Sequence, residues 1–155
     1  MLGAQALGVI AAFNVLGSLF FGWAGGRWPK GVLLGIIYVT RSLVLGWYFA
    51  VPPTPASTLV FAAIMGFLWL GVAPLISGAV VEMFGLRWQA MIQGFAFFSH
   101  QLGSFLGAYG GGVLFDAMGD YGLAWKLGVG MGLVAGTLQI LVALPRGPRP
   151  RAAPA

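Results

Sequence analysis

The sequence predicts an all-α membrane protein of five transmembrane helices. Two observations carry that expectation. Of the 155 residues, 59% are hydrophobic and only 7% are charged, whereas soluble domains carry about 25% charged residues. So few charges cannot cover a water-facing surface, and lipid is the solvent that tolerates them. The apolar residues also fall into five runs, each long enough at about 1.5 Å per residue to cross a hydrocarbon core of about 30 Å.

The runs cover about 4–25, 31–51, 56–81, 88–114 and 123–144. The first ends at the basic turn Gly25-Gly26-Arg27-Trp28-Pro29-Lys30. The second stops at Pro52-Pro53-Thr54-Pro55, where successive prolines cannot continue a helix. The third carries Pro74, which removes one helical hydrogen bond and marks a kink. Glu82 to Arg87 links the third run to the fourth, and the Gly-rich acidic turn Asp116 to Gly122 links the fourth to the fifth. The third and fourth runs exceed the minimum length, which predicts tilt or kinking. Residues 145–155, with Arg146, Arg149, Arg151 and four prolines, read as a disordered basic tail at the membrane surface.

Charge sets the expected orientation. With five crossings, Arg27, Lys30, Arg87, Arg146, Arg149 and Arg151 share one side, and Lys126 stands with Asp116 and Asp120 on the other. The positive-inside rule places the first set in the cytoplasm, with the N-terminus outside and the C-terminus inside. The expected location is the inner (plasma) membrane. Met1-Leu2-Gly3-Ala4 has no basic n-region, so no signal peptide is expected. Nothing ahead of the first run holds Met1 on the cytoplasmic side first, which points to a fragment. The net charge of +5 reads as topology signals and contact with anionic headgroups, not nucleic-acid binding. The absence of cysteine excludes disulfides and thiolate metal sites.

Glycines recur four apart at Gly103, Gly107 and Gly111, and at Gly128, Gly132 and Gly136; the first run adds Gly8, Gly17 and Gly22. Such stripes predict close helix packing. Polar groups inside the runs are the candidates for function, because each is costly in hydrocarbon. Asn14 sits near the middle of the first run and Arg41 at the middle of the second. Gln93, Ser99, His100, Gln101 and Ser104 fall on the fourth, with residues 93, 100, 104, 107 and 111 on one stripe. Arg at a helix centre costs about 2.5–3.5 kcal/mol on insertion scales. Arg41 therefore needs a carboxylate, carbonyls, water or an anionic substrate, and Glu82 lies at the wrong depth. His100, the lone histidine, suits either a hydrogen-bonded packing role or a proton relay. Trp23, Trp28, Trp47, Trp88 and Trp125 sit near run ends, as an interfacial belt requires. Trp69 lies mid-run, where it can line a cavity.

No enzyme is expected. Ser99 and His100 are adjacent and point about 100° apart on a helix, so they cannot form a nucleophile–base pair. One histidine without cysteine gives no metal site, and no phosphate-cradling motif occurs. No cofactor is expected.

Three stretches resemble the major facilitator superfamily. Gly17-Ser18-Leu19-Phe20-Phe21-Gly22-Trp23-Ala24-Gly25-Gly26-Arg27 is similar to its loop between helices eight and nine. Pro52 to Pro55, continuing to Gly71-Val72-Ala73-Pro74-Leu75, resembles its ninth-to-tenth helix region. Gly94 to Gly107, continuing to Phe115-Asp116, resembles helix eleven of the bacterial branch related to monocarboxylate and oxalate/formate carriers. The resemblance implies a partial bundle of helices eight to twelve from the family's C-terminal half, lacking the first seven. It implies part of a proton- or ion-coupled carrier of small organic anions working by alternating access, with the missing N-terminal half as partner. It also implies that the first, third and fourth runs face the central cavity. That favours Asn14, Trp69, Gln93 and His100, keeps Gln101 beside them, and moves Arg41 toward a structural role. One departure is Gly26, which stands where the family's Gly-x-x-x-Asp-Arg pattern has its acid. The gating interaction attributed to that acid is thus without its residue. The alternative reading is a non-transporting membrane fragment or assembly partner.

Overall fold

The structure, a computed structural model, describes residues 1–144. The basic tail expected over residues 145–155 lies outside them. Every regular element among the described residues is helical: α1 (Leu2–Gly25), α2 (Lys30–Ala50), α3 (Pro55–Trp69), α4 (Val72–Phe84), α5 (Gln89–Met118) and α6 (Gly122–Ala143), with a 3₁₀ turn at Leu86–Trp88 before α5.

Local chemistry sets the ends. Pro29 is the N-cap of α2. Thr54 caps α3 by accepting from the Ser57 amide at 3.0 Å, Ser57 Oγ returns the favour by accepting from the Thr54 amide at 2.9 Å, and Pro55 opens the first turn. Gly85 and Gly119 end α4 and α5 at φ 75° and 76°, a backbone region that L side chains avoid. Asp120 then accepts the Gly122 amide at 2.6 Å, at the start of α6.

The third run is two helices, α3 and α4, broken at Leu70–Gly71. The cause sits in the sequence at Pro74. Proline has no amide proton, so the Leu70 carbonyl loses its bond from residue 74 and accepts instead from the Ala73 amide at 3.2 Å. The break thus falls one turn before the proline.

Two helix pairs build the bundle through glycine. On α1 and α3, a Cβ at Gly17 would overlap the Phe67 carbonyl, and one at Gly66 would lie 2.7 Å from the Ile10 carbonyl oxygen. On α2 and α6, a Cβ at Gly35 would lie 2.7 Å from the Gly136 carbonyl oxygen, and Gly31 abuts Ala143. α4 joins the pairs, because Phe21, Leu34, Ile37, Leu68 and Leu75 form one buried cluster drawn from α1, α2, α3 and α4. Tyr48 ties α2 to α3, stacking on Phe61 at 4.3 Å between centroids and sharing a 3.1 Å hydrogen bond with Thr58.

The glycine stripes therefore divide. Gly132 and Gly136 pack on α2, while Gly128 meets nothing within 4 Å. Gly17 packs on α3, while Gly8 and Gly22 stand open. The close packing expected of Gly103, Gly107 and Gly111 is absent among the described residues: none has a neighbour within 4 Å, and no residue of α5 is buried.

Four segments are long and apolar enough to cross a membrane: α1, α2, the α3–α4 pair taken together, and α6. At 30 residues α5 has the length but is not one of them. Its Gln93, Ser99, His100, Gln101 and Ser104, with six interior glycines, hold its mean hydropathy down. Large apolar side chains face outward on every helix, among them Leu19, Leu43, Phe95, Phe105 and Leu141. A bundle in hydrocarbon has this outward-apolar character.

Candidate functional site

Three of the six candidates meet at the α3–α4 break. Asn14 of α1 reaches across to it, its Oδ1 accepting the Leu70 amide at 3.3 Å. Trp69 is the last residue of α3 and is 53% exposed. Arg41 of α2 lays its guanidinium over that ring, with Cζ 4.7 Å from the centroid. The sequence placed these residues at mid-span on three separate runs; their meeting comes from the fold. α3 pairs with α1 through Gly17 and Gly66, and α2 closes the other side.

Gln93 sits apart from them. Its Nε2 donates to Ser77 Oγ of α4, which ties α5 to the bundle. The partnership of Ser77 with Gln93 comes from the fold, because sixteen residues separate them. His100 and Gln101 are exposed. The imidazole of His100 lies 6.4 Å from the Phe97 ring on its own helix, and Ser99 returns its hydroxyl to the Ala96 carbonyl at 2.8 Å. The stripe from Gln93 to Gly111 thus contacts the described bundle at Gln93 and stands free beyond it.

At the basic end, Lys30 Nζ donates to Glu82, joining the start of α2 to the end of α4. Lys30 is 17% and Glu82 61% exposed, so the pair is a half-exposed clasp. Arg27 covers Trp23 at 4.3 Å and Arg87 covers Trp88 at 5.2 Å, the placement expected of cations and indoles at an interface. Two open depressions mark the surface. One, on α5, is lined by Met91, Gly94, Phe95 and Phe98. The other lies at the α5–α6 turn beside Phe49, Asp120, Trp125 and Lys126. Neither contains a candidate residue.

A polar break in a span, backed by an arginine, is a costly arrangement in hydrocarbon. The chain is similar to a major facilitator protein. It is 27% identical over 130 residues to the uncharacterized MFS-type transporter YcxA of Bacillus subtilis (strain 168), a match covering 74% of this chain and 29% of that protein. The chain thus spans under a third of that relative's length. No family model matches the chain, and no solved structure matches it. The likeness supports a relation to that superfamily. With the apolar helices, it fits a multi-pass protein held in a lipid bilayer.

Proposed function

We propose that this chain is the C-terminal part of a secondary active transporter that moves small, monocarboxylate-like organic anions by alternating access, coupled to protons or another ion. The observation that carries the proposal is the polar track inside an apolar bundle: Asn14 at the broken span and the Ser77–Gln93 bond between α4 and α5. Asn14, Trp69, Gln93, His100 and Gln101 line the route in this reading. The unpacked polar stripe of α5 faces the N-terminal half, which supplies the other wall of the cavity. His100, the one imidazole of the chain, is the residue assigned to proton coupling in this reading.

Uptake tests it. The protein is reconstituted in liposomes with its N-terminal half, and entry of labelled lactate, pyruvate or oxalate is followed under an inward proton gradient. His100→Ala is expected to remove the dependence on the gradient, and Asn14→Ala to slow uptake severely. Unchanged uptake in both variants sinks the site assignment. No uptake by folded wild type favours the second reading, a non-transporting membrane fragment or assembly partner.

In the proposed topology α5 crosses the membrane, giving five crossings with the N-terminus outside and the C-terminus in the cytoplasm. The sequence contains no cysteine, so single-cysteine labelling needs no prior engineering. Thr54→Cys and Asp120→Cys are expected to react with an impermeant maleimide from outside, and Gly26→Cys only after permeabilisation. Labelling of Asp120→Cys from the same side as Gly26→Cys would mean that α5 does not cross.

A further inference from the structure

Arg41 is a cation at mid-span without an acid to meet it. The whole chain has three acidic residues. Glu82 is taken by Lys30, at the start of α2 and about 17 Å from Arg41 at helical rise. Asp116 and Asp120 lie at the far end of α5, where Asp120 holds the Gly122 amide. Among the described residues Arg41 makes no ion pair. It is half-buried; its guanidinium lies over Trp69, and Tyr38, one turn earlier on α2, is its other electrostatic neighbour.

Among the described residues no hydrogen bond or ion pair claims the guanidinium N–H groups, the planar fork that takes a carboxylate bidentately. An indole face offsets part of the cost of the charge but accepts none of its strong hydrogen bonds. Trp69 is itself open on its exposed side. The geometry points to a binding site for the carboxylate of a small aromatic or apolar organic acid, its anion on the Arg41 edge and its apolar body beside Trp69. This inference rests on the reading of the protein as an organic-anion carrier. It departs from the peripheral place that the resemblance implies for the second helix, since Arg41 becomes a recognition residue and not a structural one.

The probe is radiolabelled benzoate, bound to the full chain in phosphatidylcholine nanodiscs and measured by equilibrium dialysis. Saturable binding is expected, with acetate competing weakly and neutral benzamide not at all. Arg41→Gln is expected to weaken benzoate at least about tenfold, the loss of one charge-assisted pair. Arg41→Lys keeps the charge without the fork and weakens it less; Trp69→Ala weakens benzoate more than acetate. Should Arg41→Gln fail to fold, Arg41→Lys and Trp69→Ala decide. Three results overturn the site: no saturable benzoate binding by folded wild type, variants that all bind within about twofold of it, or equal competition by benzamide. A phosphatidylglycerol retained by wild type in native mass spectrometry and lost in Arg41→Gln, with no benzoate bound, assigns the anion to a lipid headgroup and also overturns it. Lost binding with anion uptake intact removes this site alone; binding without uptake removes the transport reading alone.

Discussion

Gly66→Leu is expected to destabilise the bundle by about 3 kcal/mol, the upper range of overpacking in a well-filled interior. α1 and α3 touch backbone to backbone at this point. Even the Cβ of alanine would stand 2.7 Å from the Ile10 carbonyl oxygen and 2.8 Å from its Cα. Those atoms belong to a helix and cannot swing aside as a side-chain tip would. Relief requires α1 to move as a whole, which also opens the Gly17–Phe67 contact one or two turns away. Without a hydrophobic driving force between helices in lipid, such close contact is the main source of association. Gly107→Leu, on the open face of α5, is the control and should shift stability by no more than about 0.5 kcal/mol. Unfolding in mixed micelles, titrated with a denaturing detergent and followed by near-ultraviolet dichroism, reads both. Equal losses at the two positions would mean that α1 and α3 do not associate through Gly66.

The contrast between Gly66 and Gly107 also shows what the sequence could and could not disclose. Helix positions were legible because apolar runs, prolines and glycines act locally. The kink at Pro74 was legible for the same reason, although its register one turn earlier depends on which carbonyl is orphaned. Which glycines pack was not legible. The evenly spaced triplet on α5 predicts close packing and touches nothing described, while Gly66 belongs to no stripe and lies against the Ile10 backbone. Spacing says which residues share a face, not what that face meets. The site followed the same rule. Asn14, Arg41 and Trp69 were each picked out as costly or oddly placed at mid-span, but only the pairing of α1 with α3 brings them together. Hydropathy and length part company at α5, where the polar residues that make it a candidate wall also make it the least membrane-like helix by composition.

Asn14→Ala is expected to cost about 1–3 kcal/mol, the range for leaving a polar group without its partner, and to loosen the α3–α4 break. At the break the Leu70 amide has only the Asn14 carbonyl oxygen to donate to among the described residues. Water serves an orphaned amide at a protein surface, but hydrocarbon cannot. Asn14→Asp tests the role of the acceptor: a carboxyl oxygen in the same place still receives the Leu70 amide, so in hydrogen–deuterium exchange Leu70 should remain more protected than in Asn14→Ala. Asn14→Leu, similar in size and without an acceptor, should behave as alanine does. If Leu70 exchanges at one rate in all three variants and in wild type, the side chain of Asn14 does not hold the break. The distinction bears on mechanism. A span hinged at Leu70–Gly71 can bend there only if its exposed backbone stays satisfied as it moves. A side-chain acceptor on the neighbouring helix is the one device here that couples the bend to the position of α1. Loss of the acceptor should therefore affect uptake more than a destabilisation of equal size placed elsewhere, such as Gly66→Ala compared at matched stability.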